Sequence, residues 1–495
     1  MSRDPAPAQQ QRSSDDDYTP DPRRWKALAI CLVAGSMSLL DVSIVNVALP
    51  SIGTGLGAGE NALQWVVSGY ALAFGLLLVP AGRLGDVRGR RPTFMTGLVL
   101  FTAASVLCGL TPSPGLLVVA RLLQGAAGGV LIPQVTGLVQ ELFRGRERAT
   151  AFGALGTTIG LSTAVGPLLG GAIIAAFGAQ SGWRYVFFVN LPVGLVALPL
   201  ARRLLPAPRA RIRGAREDLD PVGVVLLGLA VVCVLLPLIE QQQWHSPLRL
   251  VLFPLSAVVL LGWLLWERRY ARRHDPVVDL ELFRRRSYSL GAGVGLLYFA
   301  GFTGIFFTYT QYLQNGLRYS ALLAGLAVTP FALGSAAAAA VGGRVVSRYG
   351  RPLVTAGLAM VVTGLMATYL TAQLVPGRGA GWALALPLLV CGVGSGLVIT
   401  PNQTLTLSEV PVSRAGSAGG VLQTGQRIGG AGGIAATGSV FFGVVARTRG
   451  DWAQAFRHGL VVITALVLAA LLLAALDLLS GRRRAHRADV AVHPA

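Results

Sequence analysis

Long apolar runs recur through the 495-residue sequence, from residue 26 to residue 479. A helix that crosses a bilayer core about 30 Å thick needs roughly 20 mostly apolar residues. Charged residues make up only 13% of the chain, whereas roughly 25% is usual in a soluble domain. The sequence therefore predicts an all-α integral membrane protein. We predict fourteen transmembrane helices, near residues 26–49, 63–82, 92–110, 116–140, 149–173, 184–204, 221–240, 249–266, 288–312, 320–343, 353–374, 381–402, 416–445 and 459–479.

The basic residues indicate the orientation of these helices. With the N-terminus in the cytoplasm, 33 of the 42 Lys and Arg residues fall on the cytoplasmic side, seven fall outside, and Arg121 and Arg427 lie within helices. This bias predicts that both termini are cytoplasmic, in an inner or plasma membrane. The net charge of the chain is +20, and the basic residues responsible for it lie in short loops beside the lipid bilayer. We therefore expect no nucleic-acid partner.

Two loops resemble each other and predict an internal repeat. Residues 82–92 read Gly-Arg-Leu-Gly-Asp-Val-Arg-Gly-Arg-Arg-Pro, and residues 343–352 read Gly-Arg-Val-Val-Ser-Arg-Tyr-Gly-Arg-Pro. The first follows helix 2 and the second follows helix 10, so helices 1–6 and 9–14 are predicted to be equivalent halves. A chance match between short loops rich in Gly and Arg is the alternative. The predicted divisions are a tail (1–25), a first bundle (26–204), an inserted pair of helices (205–287), a second bundle (288–479) and a second tail (480–495).

Several segments together resemble a known family. The first loop is similar to the signature motif of the major facilitator superfamily. Residues 40–50, Leu-Asp-Val-Ser-Ile-Val-Asn-Val-Ala-Leu-Pro, resemble the first-helix motif of its fourteen-helix drug:proton antiporters. Residues 121–125 and 156–171 resemble the fourth-helix arginine motif and the fifth-helix antiporter motif, and residues 183–184 and 190–192 are also typical. The resemblance implies proton-driven efflux of lipophilic molecules such as drugs or antibiotics.

Asp41 is the sharpest single signal, because an acid inside the membrane is costly and usually functional. At 1.5 Å per residue, Asp41 lies about 12 Å below the outer face, Tyr70 about 11 Å and Arg121 about 8 Å. Burial and a nearby guanidinium act in opposite directions on the proton affinity of a carboxylate. We therefore predict that Asp41 carries the proton and that Arg121 tunes it. A fixed structural ion pair is the alternative.

The first loop is predicted to act as a gate between the two halves. Asp86 can pair with an arginine or with a helix N-terminus, and glycines permit the tight turn. The second copy has Ser347 in place of Asp86, so the latch is predicted to be one-sided. The predicted gate residues are Gly82, Asp86, Gly89, Arg90 and Arg91.

Glycines of helix 5 recur at four-residue steps and predict a flat face that lets helix backbones approach closely. Ordinary tight packing is at least as good an account of this face as a dedicated role in antiport. Within the resemblance, however, this motif separates exporters from importers. Its members are Gly156, Gly160, Gly166, Pro167 and Gly170.

A substrate cavity is predicted from polar and aromatic residues within the helices. Two roles are open for Arg427: it lines a cavity, or it binds a neighbouring helix. Two are also open for the aromatic residues of helix 9: they line a drug cavity, or they face lipid or the protein core. The stretch 320–343 contains no Asp or Glu, which weakens a dication substrate and leaves neutral, monocationic and anionic substrates open. The candidate cavity residues are Asn46, Tyr70, Gln124, Tyr298, Phe302, Gln423, Gln426 and Arg427.

An ion gradient is the predicted source of energy. The chain has no Gly-x-x-x-x-Gly-Lys-Ser/Thr loop, and its one lysine is Lys26, so ATP hydrolysis within the chain is excluded. We expect no cofactor, no metal site and no enzymatic activity; the predicted partners are a small-molecule substrate and protons, bound by a monomer. Proton-coupled import of a small metabolite on the same fold is the alternative function.

Overall fold

Fourteen long helices cross the molecule in the part of the chain that the structure describes. The computed structural model describes residues 20–178, 180–207, 219–240 and 246–492. The predicted N-terminal tail lies outside this part of the chain except for residues 20–25, as do residues 208–218 and 241–245 of the inserted region. The first six helices are α1 (Arg24–Leu56), α2 (Glu60–Arg88), α3 (Arg90–Leu110), α4 (Pro114–Leu142), α5 (Gly145–Phe177) and α6 (Gly182–Leu204).

The remaining eight helices repeat this arrangement after an inserted pair. They are α7 (Pro221–Ile239), α8 (Leu252–Tyr270), α9 (Arg286–Gln311), α10 (Ala321–Tyr349), α11 (Arg351–Leu374), α12 (Ala385–Thr406), α13 (Ala415–Arg447) and α14 (Trp452–Val492). All fourteen are long and apolar enough to span a bilayer. The predicted number of spans is confirmed, and most helices run several residues beyond the apolar stretches that predicted them.

The helix contacts repeat between the two ends of the chain. In the first half α2 and α3 pack against α4, and α1 packs against α5 and α6. In the second half α10 and α11 pack against α12, and α9 packs against α13 and α14. The predicted all-α membrane fold of two six-helix bundles plus two helices is confirmed, while the exact boundaries between these divisions stay a prediction.

Two seams join the halves. Helix α5 lies against α10, and helix α13 lies against α2. The inserted helices α7 and α8 pack against each other, and α7 also contacts α2 and α13. The inserted pair therefore lies beside the second seam.

Prolines accompany two helix interruptions, one in each half. Helix α6 breaks at Val189, and Pro192 lacks the N–H that would bond to the Phe188 carbonyl. A short turn, Ala380–Ala383, precedes α12 in the same way, and Pro387 lacks the N–H that would bond to Ala383. Asn190 directly follows the break in α6 and lies at the buried site described below.

Candidate functional site

Asp41 lies at the centre of a buried polar network in the first half. Its side chain is 0% exposed, and its Oδ2 lies 2.5 Å from a guanidinium nitrogen of Arg121 on α4. Its Oδ1 accepts hydrogen bonds from the Gln124 amide at 2.8 Å and from the Asn190 amide at 3.2 Å. Three donors from α4 and α6 therefore hold the side chain of Asp41 on α1.

Arg121 is held as fully as Asp41. Its Nε donates to the Val66 carbonyl of α2 at 2.9 Å, and a terminal nitrogen donates to Gln124 Oε1 at 2.8 Å. The guanidinium stacks on the ring of Tyr70, 4.2 Å from its centroid, and Tyr70 donates to the Ser38 carbonyl at 3.3 Å. The pair thus links α1, α2 and α4 in a site that is closed to solvent in this conformation.

Ser105 and Asn190 complete the network, and neither was a predicted site residue. Ser105 on α3 accepts from Gln124 at 3.1 Å and from Asn190 at 2.9 Å, and donates to the Phe187 carbonyl at 2.8 Å. The sequence signal for both residues is a polar side chain at the depth of Asp41 within an apolar helix.

The first loop contacts the opposite half of the molecule. Asp86 accepts hydrogen bonds from the backbone N–H groups of Gly416 at 2.9 Å and Ser417 at 2.8 Å, and from the Ser417 hydroxyl at 3.0 Å. These are first-turn residues of α13, where free N–H groups and the helix dipole favour an anion. Arg90 lies 3.2 Å from Asp86 and donates to the carbonyls of Gly137 and Val412.

The other predicted gate residues make the turn and the close approach possible. Gly89 connects α2 to α3 with φ 101° and ψ 140°, a conformation that favours glycine. A side chain at Gly82 would overlap the Gly416 backbone across the seam. Arg91 donates to the Arg202 carbonyl at the end of α6.

The second copy of the loop makes no equivalent latch. Ser347 is exposed, and within the described residues its side chain makes no hydrogen bond to α5. Arg351 instead binds Asp477 of α14 at 3.1 Å, inside the same half. The charged contact between the halves is therefore concentrated at the α2–α13 seam.

The glycines of α5 face two different partners. In the other half, a Cβ at Gly156 would overlap Thr400 Oγ1 of α12 and lie 3.0 Å from Ala339 Cβ of α10, and one at Gly160 would lie 3.1 Å from Ala336 Cβ of α10. On the outer part of the helix, a Cβ at Gly166 would overlap Ser43 Cβ of α1, and one at Gly170 would lie 2.9 Å from Ile44 of α1. Pro167 lies inside the helix, against Gly325 of α10. The motif thus packs α5 against the other half and against the helix that carries Asp41.

The predicted cavity residues divide into two groups. Asn46 and Arg427 are exposed, although both lie in the middle of long helices, and Phe302, Gln423 and Gln426 are half-buried. Gln423 donates to Thr136 of α4 across the seam at 3.2 Å. Arg427 lies over the ring of Phe74, 4.4 Å from its centroid.

The other three candidates do not face open space. Gln124 belongs to the Asp41 network, and Tyr70 lies beneath Arg121. Tyr298 is 1% exposed within the core of the second half. Aromatic residues at helical spacing pack equally well in a protein core, and Tyr298 of α9 is a core residue in this conformation. Phe302 contacts Phe306 and Phe331, with ring centroids 5.1 and 5.9 Å away.

The described part of the chain has fourteen helices that are long enough to span a membrane, arranged in two similar halves. This is the architecture of membrane carriers built from repeats. A family model described as Major Facilitator Superfamily matches residues 31–434. The chain belongs to this superfamily.

Relatives and solved structures agree with that assignment. The chain is 38% identical to a probable actinorhodin transporter of Streptomyces coelicolor over 86% of this chain and 74% of that protein. It is 34% identical to the puromycin resistance protein of Streptomyces alboniger, over 92% of this chain and 91% of that protein. The fold is similar to the human organic anion transporter MFSD10, with TM-score 0.67, 16% identity and coverage of 92% of this chain and 100% of that one.

Proposed function

We propose that this protein is a proton-coupled efflux transporter that carries small lipophilic molecules, such as drugs or antibiotics, out of the cytoplasm in exchange for protons. The observation that carries the proposal is the sealed pair of Asp41 and Arg121, 2.5 Å apart between α1 and α4. Relatives named for puromycin resistance and for tetracenomycin C resistance and export support the direction.

Proton exchange at Asp41 changes how α1 is held. The charged carboxylate accepts bonds from Arg121, Gln124 and Asn190, which lie on α4 and α6. A protonated carboxyl no longer balances the guanidinium charge and accepts these bonds less strongly. Because α1 packs against α5, and α5 forms a seam with α10, loosening of α1 bears directly on the contact between the halves.

The Asp86 latch acts at a different step of the transport cycle. It closes the end of the molecule that is predicted to be cytoplasmic by binding the start of α13. Opening toward the cytoplasm must break three hydrogen bonds to one carboxylate, and charge-assisted bonds of this kind are stronger than neutral ones. Protonation of Asp41 and breakage of the Asp86 hydrogen bonds together allow the two halves to change from one arrangement to the other.

The remaining parts of the proposal follow from this cycle. The proton gradient is the energy source, no cofactor takes part and no chemical reaction is catalysed. The carrier works as a monomer in the inner or plasma membrane, with both termini in the cytoplasm, and binds no nucleic acid. The basic residues of its loops support this orientation.

Everted membrane vesicles test the function directly. With a lumen acidified by the respiratory chain, an exporter accumulates substrate in the lumen, and puromycin and tetracenomycin C are suitable first probes. Accumulation above that of vesicles lacking the protein, and its collapse with a protonophore, are expected. Asp41→Asn should abolish this accumulation because a carboxamide does not take up and release a proton near neutral pH.

Glu147→Gln is the matched control. Glu147 is an exposed carboxylate that pairs with Arg24 at 2.8 Å and so also links α1 to α5, but it lies outside the buried network. Glu147→Gln should retain accumulation. Full gradient-driven accumulation by Asp41→Asn would overturn the role of Asp41, and loss of preloaded substrate from the lumen together with protons would instead identify an importer.

A further inference from the structure

A second arginine lies at middle depth, on the other side of the aromatic residues that cover the Asp41 network. Arg427 is about 18 Å along the axis from the start of α13, at 1.5 Å per residue. Its guanidinium lies 4.4 Å from the centroid of the Phe74 ring. Phe74 stacks on Tyr70 with a centroid distance of 6.0 Å, and Tyr70 carries Arg121 on its ring. Two neighbouring rings of α2 therefore separate two arginines from opposite halves.

The two arginines differ in what balances their charge. Arg121 is bound by Asp41 and is 1% exposed. Arg427 is exposed, and no carboxylate pairs with it among the residues that the structure describes. Its guanidinium lies over the face of Phe74. A guanidinium at this depth is costly unless something compensates its charge.

The surroundings of Arg427 supply polar groups but no acid. Gln423 and Gln426 lie within one turn of it on α13, and both are half-buried. Within the middle of the fourteen helices the sequence has one acid, Asp41, and Arg121 already binds it. The net charge of this layer is therefore positive, and Arg427 keeps accessible surface.

We propose, building on the proposed efflux function, that Arg427 is the substrate-binding cation and that the physiological substrate is an organic acid carrying a carboxylate or ionised phenol. An oxyanion accepts paired hydrogen bonds from the guanidinium, a geometry that arginine offers and lysine does not. Gln423 and Gln426 donate to the rest of the polar group, and Phe74 holds the plane of Arg427 fixed. A cationic substrate is repelled by the same charge.

Three probes on one ring system test the charge preference. We would measure binding of anthracene carboxylate, its uncharged methyl ester and aminomethylanthracene to the purified full-length protein by their fluorescence. The acid should bind the wild type at least about tenfold more tightly than the ester, the scale of one hydrogen bond to a charged group. The amine should bind more weakly than the ester.

Variants assign the preference to Arg427. Arg427→Gln should remove the preference for the acid and leave ester binding nearly unchanged, and Arg427→Lys should retain only part of it. Arg348→Gln is the matched control, because Arg348 is exposed and lies over an aromatic ring, Tyr349, at 5.6 Å, but at the end of α10. It should bind all three probes as the wild type does.

The outcomes separate this inference from the efflux proposal. Equal binding of acid and ester by the wild type, or an acid preference that survives in Arg427→Gln, would overturn the inference while leaving gradient-driven accumulation of puromycin or tetracenomycin C intact. Absence of any gradient-driven accumulation would overturn the efflux proposal, whatever the binding results. Parallel loss of all three probes in Arg427→Gln would show a structural role and would also count against the inference.

Discussion

At the scale of single residues, the Asp41–Arg121 pair shows how much the sequence can predict about a buried site. Depth counted along the helices predicted that an acid of α1, an arginine of α4 and a tyrosine of α2 lie at similar levels, and the structure places them in contact. The same counting did not single out Ser105, because a lone serine in an apolar helix usually bonds to its own backbone. Which polar residues meet also depends on how each helix is rotated about its axis. Depth along the helix gives no information about that rotation.

Arg121→Lys tests whether the pair needs geometry or only charge. Arg121 uses separate nitrogens for Val66 and for Asp41 with Gln124, and its planar face covers Tyr70. An ammonium is a compact point charge and cannot reproduce this arrangement. We expect Arg121→Lys to lose proton-driven accumulation in everted vesicles almost as completely as Arg121→Ala.

Arg184→Lys is the control for that substitution. Arg184 also stacks on an aromatic ring, Trp183, at 4.4 Å, and donates to two carbonyls, but no acid of the network contacts it. It should transport at nearly the wild-type rate. Transport by Arg121→Lys at the same rate would mean that a positive charge alone suffices beside Asp41.

At the scale of helices, α5 and α13 hold equivalent places and close the two seams differently. The α5 seam is formed by small residues without a charged latch, whereas the α13 seam combines glycines with the buried carboxylate Asp86. The sequence predicted this asymmetry from Ser347, which stands where the first loop has Asp86. The alternatives of tight packing and a dedicated role for the α5 glycines are not separable by spacing, since both need the same small residues.

Gly160→Ala tests the seam between α5 and α10. The added Cβ would lie 3.1 Å from both the Cβ and the backbone nitrogen of Ala336, so the helices must move apart by a few tenths of an ångström or more. Overpacking of this kind costs about 1–3 kcal/mol. Because the strain exists only while the seam is closed, we expect the equilibrium to shift toward conformations with this seam open, with slower transport.

Distances between spin labels on the ends of α5 and α10 measure that shift. Gly171→Ala is the control, because a Cβ there would lie 3.9 Å from Leu322 Cδ1 of α10, which is ordinary contact. Its distance distribution should match that of the wild type. An unchanged distribution in Gly160→Ala would mean that the α5 seam does not limit the conformational equilibrium.

At the scale of the whole molecule, hydropathy and charge bias were enough to predict fourteen helices, and one pair of similar loops was enough to predict the six-two-six order. They did not predict where the inserted helices lie. Every residue of α7 is apolar or glycine, so hydrophobic periodicity identifies no packing face for this helix in lipid. Its place against α2 and α13 depends on side-chain fit, for example Leu235 against Gly75 and Leu76 against Gly228.

The charge moved in each cycle is a property of the whole carrier and gives the last prediction. If one proton enters as one organic anion leaves, two charges cross in the same sense; for a neutral substrate one charge crosses, and for a monocation none. A membrane potential of 100 mV contributes about 2.3 kcal/mol for each charge moved.

Everted vesicles with equal pH on both sides, external potassium and valinomycin acquire a positive lumen, which corresponds to a negative cytoplasm. Under these conditions we expect anthracene carboxylate to accumulate most, its methyl ester less and aminomethylanthracene not at all, with no accumulation in Asp41→Asn. Accumulation of the acid that does not respond to the potential would exclude exchange of an anion for a proton and would favour co-movement of both in one direction.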